Sequence, residues 1–392
     1  MKVLFINSVC GIGSTGRICT DLAQQLESEG HEVKIAYGRN GTVPEKFQKY
    51  AVRIGSDWDV RIHGIKARLF DAMGLGSREA TQKFIKWVEE FNPDIIHLHN
   101  IHGYYINIEI LFKYLKTCGK KIIWTLHDCW TFTGHCAYFD FYGCNKWISG
   151  CKGICVCKKD YPASFLLSRA EQNYQIKKSL FTGINNLTIV TPSQWLASLV
   201  KKSFLSEYHV EVINNGVNTD IFKPTPSKIK NIYSIGNKKI ILGVASIWDR
   251  RKGLETFIEL SKQIEDEYKI ILIGLNKEQI KKLPNTIIGI ERTNSTKELA
   301  EFYSVADVFL NPTLEDNYPT TNIEAIACGT PVISYDTGGS GESAIFYGSV
   351  VKKGDITAII QEIKRNEFKK QECYIDYRLS VKKYCELYLC KS

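Results

Sequence analysis

One stretch, residues 305–342, limits the folds open to this chain more than any other. From Asn311 it reads NPTLEDNYPTTNIEAIACGTPVISYDTGGSGE. Val305–Leu310 (VADVFL) has the composition of a short buried strand. A polar loop follows, Thr320 or Thr321 opens a helix, and Gly329 closes it. Pro331–Tyr335 form the next strand, and Thr337–Gly341 make a tight glycine turn. Strand, loop, helix, strand is the repeating unit of a parallel sheet. Loops at the carboxyl ends of such strands are where open α/β sheets bind ligands. The helix start offers backbone N–H groups and the positive end of the dipole, which suit a phosphate. Asp316 precedes this helix and Glu324 is expected in its first turn, so both can point into one crevice. Thr321 and Glu324 also have capping-box spacing, so Glu324 is either a ligand group or the tie of its own helix.

The segment resembles the signature of retaining glycosyltransferase family 4: an acid, seven residues, a Glu, then A-x-A-C-G-T-P-V. Asp316 takes the first acid position, where many members have Glu, and Glu324 the second. Ala325, Ala327, Cys328, Gly329, Thr330, Pro331 and Val332 follow in register. The resemblance implies the GT-B fold, an α/β architecture of two doubly wound, Rossmann-like parallel-sheet domains with an interdomain cleft. It implies that Asp316 contacts the donor sugar and that Glu324 binds the ribose of the nucleotide. The diphosphate falls to the backbone of Asn317, Tyr318, Pro319 and Thr320.

Further motifs lie along the chain. Val3–Ile6 read as a strand, SVCGIGSTG (Ser8–Gly16) as a loop, and Ile18, Leu22 and Leu26 as one face of a helix that Gly30 ends. The loop is neither a full dinucleotide fingerprint nor a P-loop. It is a structural turn on its own terms. By resemblance Gly13 and Ser14 face the donor diphosphate. The strand DIIHL (Asp94–Leu98) runs into His97, His99 and His102. No carboxylate completes a metal set there, so polar lining of a ligand crevice is the reading. KIIWT (Lys121–Thr125) ends in Leu126-His127-Asp128, which resembles the family's T-x-H-D motif. That resemblance sets His127 beside the donor sugar and the reacting centre, while Asp128 either orients the imidazole or caps the next turn of chain. Ser164–Leu180 reads as a helix with Lys177 and Lys178 near its end. Asn215-Gly216-Val217 and the residues to Pro224 resemble a family motif at the domain junction, and Thr225–Lys239 reads as a linker.

The second domain opens on the strand Ile240–Val244. Ala245–Gly253 (ASIWDRRKG) puts three cations before a helix, where Arg grips two phosphate oxygens and Lys acts as a point charge. The family has G-R…R-K-G here. Lys252 matches the Lys, but Ser246 stands where the Arg is expected, so Arg251 or Arg250 must substitute. Glu342 matches the last residue of the family's T-G-G-x-x-E. The expected domains are 1–218, with a Cys-rich insert at 129–157, then 219–372, then a terminal helix in 373–392 that crosses back. That helix is expected from Tyr374 to Leu389.

The insert carries Cys129, Cys136, Cys144, Cys151, Cys155 and Cys157. Cys136, Cys144, Cys151 and Cys155 could bind one structural zinc, with Cys157 as a substitute for Cys155. The other reading is a set of unligated thiols. A similar insert occurs in a family-4 subgroup associated with bacterial surface polysaccharides.

The chain has 392 residues, enough for about two domains at ~150 residues each. Its 51 basic and 42 acidic residues give a net charge of +9, which fits phosphates or an anionic membrane face and calls for no nucleic acid. No apolar run reaches the ~18 residues of a membrane span. The opening strand is too short for a signal-peptide core. A cytoplasmic protein is expected, free in solution or at the inner membrane face, with its 13 cysteines as thiols or metal ligands. The expected activity is a retaining, metal-independent transfer of a hexose from a UDP or GDP sugar to a glycan or polyprenyl-diphosphate-linked acceptor. Asp316, Lys252 and His127 are the expected catalytic groups. A non-catalytic sugar-nucleotide-binding subunit and a GT-B epimerase are the alternatives.

Overall fold

In a computed structural model of the protein, residues 1–39, 42–371 and 375–389 are described. The chain divides into two compact units, Met1–Asn214 together with the chain from Val381, and Asn215–Ser380. The expected 372/373 boundary and the helix start at Tyr374 lie outside the described residues.

The first unit is built on β1 (Lys2–Ile6), β2 (Glu32–Tyr37), β3 (Ala51–Arg53), β4 (Ile95–Leu98), β5 (Lys121–Thr125), β6 (Leu187–Thr191) and β7 (His209–Val212). All pair in parallel, in the order β3-β2-β1-β4-β5-β6-β7. The second has β8 (Lys239–Val244), β9 (Tyr268–Ile273), β10 (Ile287–Ile290), β11 (Val308–Asn311), β12 (Val332–Tyr335) and β13 (Gly348–Val351). These are also parallel, in the order β10-β9-β8-β11-β12-β13. Each is a doubly wound α/β sheet. The direction of winding reverses between β1 and β4, and again between β8 and β11, and such reversals open a crevice at the strands' carboxyl ends.

The strands are near-continuous apolar runs because helices cover both faces. Val3, Leu4 and Phe5 are fully buried, as are Ile240, Ile241 and Leu242. In the first unit Trp124, Phe112 and Phe181 pack against one another in tilted and edge-to-face pairs, with ring centroids 4.3–5.2 Å apart. Truncating a buried aromatic of this kind costs ~3–5 kcal/mol. The helix Tyr377–Leu389 joins the first unit from Val381 on. Tyr384 Oη lies 2.9 Å from Thr125 Oγ1, Tyr388 Oη lies 2.6 Å from His97 Nδ1, and Lys121 Nζ donates to Leu387 O. His97 also meets Thr125 through Nε2. It is therefore an interior group, not part of a ligand-facing row.

Three expected elements shift. The helix read as Ser164–Leu180 is Ala170–Phe181. Ahead of it the chain lies along the end of the helix Asp57–Phe70, with Phe165 N donating to Arg68 O and Leu167 N to Leu69 O. Val305 ends the helix Thr296–Val305 instead of opening β11. The linker holds a helical turn, Ile229–Ile232, anchored by buried Ile229 and Ile235.

Candidate functional site

In the second unit the loops after β8 and β11 flank the reversal of winding. After β8, Asp249 caps a 3-10 turn at Arg250–Lys252, its carboxylate accepting from Lys252 N. Gly253 follows with φ +74°, and a Cβ there would sit 2.2 Å from Pro312 O. Glycine is required, and its absent side chain lets the basic turn lie against the loop after β11. Leu314 N donates to Arg251 O at 2.7 Å. Arg251 Nη1 donates to Glu315 O at 2.7 Å and stands 3.5 Å from Asp316 Oδ2. Lys252 Nζ is 2.5 Å from the same oxygen. Asp316 Oδ1 accepts from Asn317 N at 2.9 Å. Burial alone would raise the Asp316 carboxyl, but Lys252 and Arg251 outweigh it and hold it below the usual carboxylate range. Asp316, Arg251 and Lys252 thus form one cluster, while Arg250 is exposed.

The glycine turn closes over this cluster. Gly339 N donates to Asp316 O at 2.8 Å, and a Cβ on Gly338 would lie 2.1 Å from that oxygen. Thr337 Oγ1 donates to Thr313 O at 2.6 Å. Asn317, Tyr318 and Pro319 are buried or nearly so and lead into the helix Thr320–Ala327. Its N-cap is Pro319, with no side-chain cap. The capping box open to Glu324 is therefore not formed. Glu324 is buried and accepts from Tyr303 Oη at 3.0 Å.

Sequence reasoning missed Asn322. Its amide accepts from Asn311 Nδ2 at 2.7 Å and donates to Ser340 O and Ser343 Oγ, both at 3.1 Å. It ties β11, the helix and the glycine turn together. The available signal was a poor helix former inside a short helix, TTNIEAIA. Glu342 sits half-buried in the short helix Ser340–Ala344.

In the first unit the loops after β1, β4 and β5 meet near the other reversal. Asn7, fully buried, donates to Val9 O at 2.8 Å and accepts from Asn100 N at 3.3 Å, joining the first two loops. Gly13, at φ +65°, and Ser14 begin the helix Gly13–Ser28 and are exposed. His127 Nε2 lies 3.0 Å from His99 Nδ1. Burial lowers His127 to about 4 and takes His99 well below its usual value, so both rings are neutral at pH 7. Asp128 caps the next turn of chain and also pairs with a second histidine. One of its oxygens accepts from Trp130 N at 2.9 Å and the other lies 3.0 Å from His102 Nε2.

In the insert, the sulfur atoms of Cys136, Cys155 and Cys157 lie within 4.8 Å of one another. Cys144, Cys151 and His135 are outside that trio. They share the wall of a small adjoining cavity with Cys136 and Cys155.

A profile of the family "Glycosyltransferase Family 4" matches residues 15–221, more than half of the chain, and one of "Glycosyl transferases group 1" matches residues 238–366. The chain is 24% identical over 351 residues to a protein of Escherichia coli K12 that carries the name of a colanic acid biosynthesis glycosyl transferase, WcaC, covering 85% of this chain and 83% of that one. Sucrose-phosphate synthase from Thermosynechococcus elongatus superposes with a TM-score of 0.71 at 16% identity, over 99% of this chain and 98% of that one. Anabaena HepE in complex with UDP-glucose superposes with a TM-score of 0.63 at 15% identity, over 93% and 89%. The two parallel α/β sheets and these structural likenesses identify the GT-B fold. By its sequence match and its fold, the chain is a glycosyltransferase and belongs to Glycosyltransferase Family 4.

Proposed function

We propose that the protein transfers a hexose, with retention of anomeric configuration, from a nucleoside diphosphate sugar to a glycan or polyprenyl-diphosphate-linked acceptor in bacterial surface polysaccharide synthesis. The observation that carries this reading is the Arg251–Lys252–Asp316 cluster at the reversal of the second sheet. Two cations against one carboxylate leave a net positive site, close to where a helix begins. A diphosphate leaving group develops negative charge as its bond to the sugar breaks. Preorganised cations and backbone N–H groups at that point lower the barrier more than they stabilise the bound donor.

In this account Lys252 and Arg251 hold the departing phosphates with Asn317, Tyr318, Pro319 and Thr320. Glu324, held by Tyr303, accepts from the ribose hydroxyls. Asp316 hydrogen-bonds the sugar and keeps the Lys252 ammonium in position. His127 donates to a sugar hydroxyl. The acceptor is deprotonated by a phosphate oxygen of the leaving group, so no side-chain base and no catalytic metal is assigned. A UDP sugar is the first donor to test, in keeping with the UDP-glucose complex of HepE. A surface-polysaccharide acceptor accords with the name of the E. coli relative.

Product stereochemistry tests the reaction class. Proton NMR of a newly formed glycoside should show the α anomer from an α-linked donor. A β product would exclude the retaining mechanism.

A further inference from the structure

Residues 126–169 join β5 to the helix Ala170–Phe181 with only three 3-10 turns, at Trp130–Phe132, Asp140–Tyr142 and Lys146–Ile148. Connections beyond ~12–15 residues without regular structure are uncommon in compact domains. Yet much of this one is buried, including Trp130, Phe132, Phe139 and Trp147. Part of what holds it is aromatic packing, with Trp147 5.3 Å from both Phe132 and Phe139 between centroids.

We propose that Cys136, Cys155 and Cys157, completed by Nε2 of His135, form a structural zinc site that staples this segment. Three sulfurs within 4.8 Å of one another are already near the ~3.8 Å spacing that ~2.3 Å bonds to a tetrahedral zinc impose. Cys136 and Cys157 are buried, and none of the three is in a disulfide. His135 supplies the second, independent observation. Its Nδ1 lies 2.6 Å from Asp71 Oδ1, which makes Nδ1 the donor and leaves Nε2 with a free lone pair. Nε2 is buried with no hydrogen-bond partner, on a residue that walls the same cavity as Cys136 and Cys155. A buried lone pair without a partner is costly. A carboxylate–imidazole–metal relay accounts for all of its features at once.

The remaining cavity cysteines are placed differently. Cys151 Sγ already accepts from Gly134 N at 3.2 Å. Three thiolates and Zn²⁺ leave one negative charge. Lys177, 2% exposed, donates from Nζ to Trp130 O and Thr133 O in the same segment and offsets it. Thiolate and imidazole ligands select zinc over magnesium, calcium or manganese.

Metal analysis of protein purified under reducing conditions without added metal should find about one zinc per chain. Cobalt exchanged into that protein should show thiolate charge transfer and the d–d bands of a tetrahedral site with three sulfurs and one nitrogen. Zinc content should fall close to zero in Cys155→Ser and Cys157→Ser, while His135→Gln weakens zinc by at least ~10–100-fold. Cys144→Ser should keep both zinc and spectrum. A wild-type protein with neither zinc nor cobalt bands would overturn the site, even if every variant failed to fold. So would a disulfide within the trio, or full zinc in the two cysteine variants. A four-sulfur cobalt spectrum, unchanged in His135→Gln and lost in Cys144→Ser, would overturn this ligand set.

Discussion

Single residues divide into those whose chemistry is visible in type and spacing and those visible only in space. Lys252 and Asp316, in loops at the carboxyl ends of strands, and Glu324, in the helix that follows, stand out because they match the family signature in register. The choice of Arg251 over Arg250 required the structure. Ser246 replaces the expected arginine, and only the turn held by Asp249 and Gly253 brings the Arg251 guanidinium to Asp316. Asn322 was hidden because its partners, Asn311 and Ser340, come from elements that only the fold brings together. His127 was legible as a strand-end histidine, but its pairing with His99 was not. His99 Nε2 is buried and unpartnered, so the bonding is best satisfied with the shared proton on His99 Nδ1. His127 then accepts at Nε2 and carries its own proton on Nδ1. This neutral pair has a pH signature. His127 falls from 6.5 to about 4 on folding, so the unfolded chain binds more protons between those values. The contribution of this ring to stability is complete above pH 6.5 and is lost as pH falls toward 4, by on the order of 3 kcal/mol. Denaturant titrations from pH 7 to 4.5 should show that slope, reduced in His127→Asn. An equal slope in the variant would mean that the ring is not held neutral.

At the scale of elements, strands were the most legible part, since burial on both faces writes them as continuous apolar runs such as KIIWT and YKIILI. Helix starts were less so. Phe165, Leu166 and Leu167 look like a continuation of an apolar helix face, yet they are exposed and precede the helix at Ala170. They lie beside the end of the helix Asp57–Phe70, whose Trp58, Ile62 and Ile65 are 69%, 52% and 58% exposed. Arg61, Lys66 and Arg68 are exposed on the same helix. Apolar side chains among cations suit the headgroup layer of an anionic bilayer, where a polyprenyl-linked acceptor would reside. With the polyprenyl-linked acceptor proposed above, this helix is the surface expected to meet such a membrane. The protein should co-sediment with phosphatidylglycerol vesicles in a salt-sensitive manner, and Trp58→Ser with Ile62→Ser should lower binding about tenfold, the loss of part of two apolar burials. Binding that is insensitive to both salt and these substitutions would remove the helix from the membrane face.

Across the whole molecule, the alternation of strands and helices carried the fold class, because each parallel strand needs a crossover helix. Strand order was not legible. It depends on which way each crossover packs, and only the observed orders reveal that the basic turn and the acidic loop both flank the reversal between β8 and β11. Among the described residues no helix is long and apolar enough to cross a membrane. The Cys-rich insert was legible as an unusual feature, but its trio is not the expected quartet, since spacing along the chain does not determine which sulfurs converge. The central claim is that Lys252 and Arg251, steadied by Asp316, receive the donor diphosphate. Calorimetric titration of UDP, and of GDP as its rival, into the wild type and Lys252→Ala tests it most directly. One nucleotide should bind the wild type, and the variant should lose ~10–100-fold in affinity, as removal of a charge-assisted phosphate contact worth ~1.5–3 kcal/mol requires. Equal affinity in both proteins, with both folded, would contradict the account.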